Sequence, residues 1–588
     1  MLSVLGRGTR TEGDTGLIVI YPRRPYKARG RRTLITSLPT YSIKCIMAPN
    51  VIPSPFGPLP PLPETNFIYT ILHSPSPPRP PLPDDYVTHI DGITGEQRTL
   101  KQLIARINEL GAAFLAPRDQ GGLAIRPKGQ VVGLLSSNTI DYPTVVFALL
   151  QTAIPVALLN SHSTAPELAH QLKLARVTHV IVGPSSIPIL KRALQIAGLR
   201  NVGMTIMEGC GKRARAGELT LQGLIDRTKK LGVQPAGIAD VKRHTLAYLV
   251  FSSGTTVMIS HGNLNACYAQ ILTWAFYSLQ AQPREQPRYS EYPMDLAFLP
   301  MYHTMGLHVY NFRHFISPST LIVLPSWDAD KLLAHPKLRS KEVDLSSLTG
   351  IGTGAAYLPP ETEREFLNVL SAKGNKGTKL QRLHSGYGLS ESTIAVASMP
   401  VEGMLGGKLG PKEGSAGVAQ ADCREAPPGT PMEELEDVAP GEPGELYVQG
   451  LLTALGYWDN EQATKEAFLP GGWLRTGDRF VYKDGHLWFQ DRAKDTLKVS
   501  GVQGYLLDAC VAGVPGPRND GELVPRAWVV LAPAGHKAGS KKVIVDLNEW
   551  VQGQLSKPKQ LRGGIEIVKE ERFYDEYYKT VIPRLMER

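Results

Sequence analysis

With 588 residues, 42% hydrophobic and 20% charged, the chain can bury more than one core and has an ordinary globular composition. No apolar run reaches bilayer-spanning length, and five scattered cysteines (Cys45, Cys210, Cys267, Cys423, Cys510) form no metal-type pair, so a reduced intracellular protein is expected. Of the net charge of +10, residues 1–45 carry +7, nine Lys/Arg against Glu12 and Asp14, which argues against a basic nucleic-acid face on the folded body.

Residues 1–46 read as a basic extension. Arg-rich and acid-poor, it fits an organelle transit segment. Without an amphipathic repeat it reads rather as a disordered tail, or as upstream sequence joined ahead of Met47. The next stretch, residues 49–83, holds 13 prolines in 35 residues and predicts an extended lead-in wrapping a surface. Alternation follows. "QVVGLL" (130–135), "IPVALLN" and "VTHVIVG" read as strands, and "YPTVVFALLQTA", "APELAHQLKLA" and "IPILKRALQIAG" as helices, which implies a parallel sheet covered by helices. Composition changes after Asp478. "FVYKDGHLWFQDR" predicts a hairpin turning at Asp484-Gly485, "DRAKDTLKVSG" a polar connector, and "ACVAGVP" and "RAWVVLAP" strands of a small α+β domain. The expected division is 1–46 extension, 47–490 large α/β body with parallel sheets and helices, and 491–588 a shortened C-terminal α+β lid.

"LAYLVFSSGTTVMISHGNL" (246–264) runs a strand into a Ser/Gly/Thr turn and then a helix start. Successive amides and hydroxyls there suit an anion nest, although the Walker pattern is absent and most such clusters are plain turns. Ser260 suits a cap for a helix beginning near Gly262. Further segments come in a fixed order: "FLPMYHTMGL" (298–307), "GIGTGAAYL" (350–358), "HSGYGLSEST" (384–393), "GEPGELYVQG" (441–450) with "GYWDNEQAT" (456–464), "GGWLRTGD" (471–478) and "DRAKDTLKVSGVQ" (491–503). Together they resemble the adenylate-forming (AMP-binding) superfamily, within it the acyl-CoA synthetase and 4-coumarate-CoA-ligase-like enzymes.

The resemblance implies a large body with a small C-terminal lid and two chemical steps. A carboxylate attacks the α-phosphate of ATP and pyrophosphate leaves; a thiol, that of coenzyme A, then displaces AMP from the acyl adenylate. Such chemistry asks for positioning and charge neutralisation. By resemblance, Ser252, Ser253, Gly254, Thr255 and Thr256 cradle the β/γ-phosphates. Gly354, Ala355 and Ala356 lie along the adenine, Tyr387 stacks on the base beside Gly388, and Ser390 meets the α-phosphate. Glu391 holds Mg²⁺, Asp478 accepts from the ribose hydroxyls and Arg492 donates to ribose or phosphate. Lys494 and Asp495 form the hinge, His303 lies near the acyl carboxylate, and Lys579 bridges carboxylate and phosphate. Taken singly, each has a plainer role: half-buried aromatic, turn residue, surface charge or core histidine.

The sequence also departs from the family pattern. Thr256 runs directly into "VMISHGN", without the usual Gly- and Lys-containing stretch. A strand and a Pro-containing turn are missing between "LPSWDADKLLAHP" and "VDLSSLTGIGTGAA". No acidic helix follows "SGVQ", and Lys579 follows Tyr578 rather than glycine. These losses suit a degenerate relative or a misassembled reading frame. Three functions are therefore weighed: an AMP-forming acid–CoA ligase, a free-standing adenylation enzyme loading a carrier thiol, and a nucleotide binder with little turnover. The expected partners are a small carboxylic acid, ATP and CoA. The terminal "MER" does not match a peroxisomal S-K-L address, which leaves the cytoplasm as default.

Overall fold

The computed structural model describes residues 51–74, 82–208, 215, 217–252, 255–282, 292–326, 344–354, 358, 360–371, 377–378, 380–426, 438–439, 441–492, 497–498, 505–516 and 523–569. The expected extension 1–46 lies outside them. The Pro-rich lead-in is not extended throughout. Tyr69–His73 form a π-type helical turn, because the stretch between Pro63 and Pro75 is free of proline and carries buried Phe67, Ile68 and Ile71. The Asn66 side chain fixes this turn by donating to the carbonyls of Leu150, Gln151 and Ala239.

Strands β1 (Val87–Asp91) and β2 (Gln97–Thr99) pair antiparallel, and Thr99 starts α1 (Leu100–Leu115) through a capping box with Gln102. The alternation read from the sequence then appears: β3 (Val131–Leu135), α2 (Asp141–Gln151), β4 (Val156–Leu159), α3 (Ala165–Leu174), β5 (Val177–Val182), α4 (Ile187–Ala197) and β6 (Gly203–Ile206). After α5 (Leu221–Lys230) come β7 (Leu246–Phe251), β8 (Thr256–Ser260) and α6 (His261–Ala281). Six strands join in the order β6-β5-β3-β4-β7-β8, parallel except for the β7–β8 pair. Leu134, Leu158 and Ile181 pack on one face, and Leu135, Leu159 and Val182 on the other. That two-residue alternation of apolar side chains needs helices on both sides, and every residue of α2 is buried accordingly.

A second sheet runs β2-β1-β10-β9, with β9 (Met294–Ala297) and β10 (Thr320–Val323). A third joins β11 (Gly352–Thr353), β12 (His384–Tyr387), β13 (Ala397–Ser398) and β14 (Val418–Ala419), with α7 (Pro360–Ser371) between its first two strands in sequence. β9 ends one sheet and β11 ends the next. Met294 (66% exposed) and Leu296 (48%) stand uncovered on β9 among the described residues.

An antiparallel sheet follows from β15 (Asp422–Ala426), β16 (Gly444–Gln449), β17 (Phe468–Leu469), β18 (Trp473–Lys483) and β19 (His486–Arg492). Asp484 and Gly485, both at positive φ (51° and 79°), turn the expected β18–β19 hairpin. β19 continues two residues past the expected boundary at 490. The C-terminal part is a separate sheet of β20 (Leu497–Lys498), β21 (Leu506–Pro515), β22 (Leu523–Leu531) and β23 (Ile565–Val568), with α8 (Ser540–Gln554) between the last two.

Candidate nucleotide site

A cavity of about 610 Å³ opens between the β11–β14 sheet and β18, lined among others by Gly354, Tyr387, Gly388, Asp478 and Phe489. Its glycines are dictated by close approach. A Cβ on Gly388 would stand 1.4 Å from the Ile394 carbonyl oxygen, and one on Gly354 would stand 3.3 Å from the Gly386 oxygen. Tyr387, on the last position of β12, packs its ring edge-on to Phe480 with centroids 4.6 Å apart. Its hydroxyl donates to Asp478 Oδ2 at 2.7 Å. Asp478 is itself buried (2% exposed), and its amide donates to Thr476 Oγ1. Four of the residues picked from the sequence thus share one cavity.

The turn after β12 carries the next pair. Ser390 Oγ and Thr304 Oγ1 lie 2.9 Å apart, which ties this turn to the helical turn Thr304–Leu307. Glu391 is 7% exposed, and Tyr457 OH donates to its Oε1 at 3.0 Å. Among the described residues Tyr457 is its one side-chain donor. His303 is neither a core histidine nor bonded to the cavity. It is exposed, and it caps the turn Thr304–Leu307 by accepting from the Met305 amide at 3.4 Å.

The Ser/Gly/Thr turn differs from the expected open nest. Ser252 N–H donates to Thr255 O (3.0 Å) and Thr255 N–H to Ser252 O (3.3 Å), so these amides satisfy each other. Thr256 is no longer turn but the first residue of β8, paired with Phe251. The outer edge of β8 is held in turn: Met258 N–H reaches Gly456 O, Leu455 N–H reaches Met258 O and Trp458 N–H reaches Thr256 O. With both edges bonded, the chain turns back over a short hairpin. The Thr256 hydroxyl is left buried with no partner among the described residues. Ser260 caps α6 as expected, in a reciprocal box with Asn263.

Ser253, Gly254, Ala355, Ala356, Lys494, Asp495 and Lys579 lie outside the described residues. So does the side chain of Arg492, whose backbone pairs with Asp478. Thr304 and Tyr457 were missed as site residues. Both stand in motifs noted from the sequence, yet their partners lie 86 and 66 positions away. Other buried reactive groups are kept neutral. Tyr248 OH, His308 and Cys267 form a chain (2.8 and 3.6 Å), with His308 lowered to about 3 and the Cys267 thiol pushed up to about 12 by burial, which disfavours a thiolate there. Among the described residues no cluster of His, Cys, Asp and Glu suits a metal centre by itself, and no helix is long and apolar enough to cross a membrane.

The model of the AMP-binding enzyme family matches residues 83–335 and 329–458. Its two stretches overlap at residues 329–335. A putative acyl-coenzyme A synthetase of Emericella nidulans is 27% identical over 489 residues, covering 76% of this chain and 82% of that protein. A 4-coumarate–CoA ligase-like protein of Oryza sativa subsp. japonica is 28% identical over 531 residues, covering 82% of each. In fold, the chain is similar to a long-chain-fatty-acid-CoA ligase of Archaeoglobus fulgidus, with a TM-score of 0.60 and 19% identity over 87% of this chain and 98% of that one. An adenylate-forming architecture, a glycine-floored cavity under a Tyr–Asp pair and a family match over more than half the sequence agree: the chain belongs to the AMP-binding enzyme family.

Proposed function

We propose that the chain is an AMP-forming acid–CoA ligase. The Tyr387–Asp478 hydrogen bond across the glycine-floored cavity carries this reading, since it sets an aromatic ring and a buried carboxylate where a nucleoside needs a stacking face and a ribose acceptor. A carboxylate oxygen attacks the α-phosphorus and the bond to pyrophosphate breaks. The CoA sulfur then attacks the acyl carbon, its proton passes to water, and AMP leaves with the electron pair. Ser390, held by Thr304, faces the α-phosphate, Arg492 lies by the ribose, and His303 stands near the acyl carboxylate. In this reading Ser252 to Thr256 serve the outer phosphates, Ala355 and Ala356 the adenine, Lys494 and Asp495 the hinge, and Lys579 the reacting carboxylate.

Mg²⁺ fits the residues present. Glu391 keeps one oxygen free of donors among the described residues, and the buried Thr256 hydroxyl lacks a partner on the neighbouring hairpin. When bound, the ion neutralises phosphate charge. Glu391→Gln is expected to abolish acid-dependent pyrophosphate exchange while AMP binding is largely kept. Equal loss of both in a folded variant would make Glu391 structural.

One observation favours a second reading, a nucleotide binder with slow turnover. The hairpin amides of Ser252 and Thr255 are spent on each other, and no Lys or Arg occurs between Arg243 and Arg284. Brisk acyl-CoA formation from ATP, acid and CoA would eliminate that reading.

A further inference from the structure

Tyr457 is held on every side. Its amide donates to Thr464 Oγ1 at 2.9 Å, and its ring packs edge-on to Phe468 with centroids 5.4 Å apart. Gly456, at φ +126°, leaves no room for a side chain, since a Cβ there would stand 2.6 Å from Thr464 Cγ2. The flanking residues 455–458 are laddered onto β8, with Val257 bridged to Tyr457. A ring fixed at backbone, face and flank has little freedom left, so its hydroxyl is aimed, and it is aimed at Glu391 Oε1. The same segment grips Glu391 from behind, because the Ala454 amide donates to the Glu391 carbonyl at 2.8 Å.

We infer that Tyr457 is a positioning residue for Glu391: by occupying Oε1 it fixes the carboxylate rotamer and leaves the other oxygen for the divalent cation that accompanies the nucleotide. This rests on the reading of Glu391 as the Mg²⁺-holding group. A carboxylate side chain has three rotatable bonds, and partners outside the coordination sphere typically change metal affinity by 10- to 100-fold. Residues 454–458 also pin β8, whose first residue, Thr256, closes the phosphate-side hairpin. One short segment thus fixes both walls between which the metal-bound phosphates would sit.

The test measures binding rather than turnover. ATP affinity is measured calorimetrically with excess Mg²⁺ and with a chelator, and the ratio gives the metal-dependent gain. AMP affinity serves as the metal-independent reference. Tyr457→Phe keeps the ring against Phe468 and is expected to cut the gain by about tenfold, with AMP affinity and melting temperature unchanged. Glu391→Gln should remove the gain altogether, and adding Tyr457→Phe to it should change nothing more. Thr464→Val, which removes the acceptor of the Tyr457 amide and also the bond to the Asn460 carbonyl (2.8 Å), should cut the gain in the same direction but less. Should Tyr457→Phe keep the full wild-type gain while Glu391→Gln loses it, Tyr457 has no positioning role although Glu391 still holds the ion. If AMP affinity falls as much as ATP affinity, the phenol serves the cavity instead and the inference fails. A full gain in Glu391→Gln itself overturns both the inference and the metal reading beneath it.

Discussion

Strands β3 and β4 are buried at every position, whereas β12, which carries Tyr387, has one exposed and three half-buried residues. The flanking β11, β13 and β14 are only two residues long. The parallel sheet is held by apolar side chains interlocking on two faces, so a close contact such as that at Gly133 meets side-chain ends rather than main chain. The site sheet is held by backbone approaching backbone at Gly354, Gly386 and Gly388, with polar links at Tyr387–Asp478 and Ser390–Thr304. It gains an open cavity and gives up tolerance. Long apolar strands make the scaffold, and short glycine-rich strands make the place where a ligand can lie against main chain.

Swapping glycine for alanine in each region breaks this contrast most severely. At Gly388 the new Cβ meets the Ile394 carbonyl at 1.4 Å, and only a backbone shift relieves it. Gly388→Ala is expected to cost more than about 4 kcal/mol, or to give no soluble protein, in chemical denaturation. At Gly133 in β3 the Cβ meets side chains only, Leu159 Cδ1 at 2.7 Å and Val177 Cγ1 at 3.1 Å, so Gly133→Ala should cost about 1–3 kcal/mol. Equal costs at the two positions would refute the contrast.

Changing pH next probes the buried titratable groups around the two sheets. Burial lowers His89 and His308 to about 3 and His179 and His261 to about 4, and all four lie in the first part of the chain. Below the ordinary value of 6.5 the unfolded chain binds protons that these rings refuse, so stability falls as pH drops from 6.5 toward 3. Glu425 on β15 behaves oppositely. Its Oε1 is buried without a partner and burial raises it to about 8 from an ordinary 4.5, so the folded state holds the extra proton and stability falls as pH rises from 4.5 through 8. Glu425→Gln should flatten the fall in stability above pH 6.5, steepen the rise between 4.5 and 6.5 where both effects act, and leave the slope below 4.5 alone. An unchanged alkaline limb would place the loss elsewhere.

Asp478→Ala should weaken AMP and ATP binding by about 1–3 kcal/mol without unfolding the parallel sheet. Unchanged affinities in a folded variant would exclude Asp478 as a ribose acceptor. The smallest effect sharpens the comparison at the seam between the regions. Because Thr256 is bonded within β8, a Gly/Lys-containing insertion belongs between Gly254 and Thr255 rather than after Thr256. It should raise pyrophosphate exchange by at least about tenfold, or roughly 1.4 kcal/mol of barrier. No change beside an already brisk native rate would mean that the hairpin needs no added cation.

The sequence by itself determined the local elements. From β3 to α4 the expected strands and helices appear within one or two residues, since a two-residue or 3.6-residue apolar period is a short-range signal. The Ser260 cap and the Asp484-Gly485 turn were legible for the same reason. So was the family, through motifs in a fixed order. Tertiary structure alone decided how these pieces meet. Tyr387 finds Asp478 across 91 positions, Ser390 finds Thr304 across 86, and Glu391 finds Tyr457 across 66. The mutual bonding of Ser252 and Thr255 was equally hidden, as was that of residues 455–458 along the far edge of β8. Periodicity and caps are written in neighbouring residues, but a hydrogen bond between distant segments exists only once packing has fixed both ends.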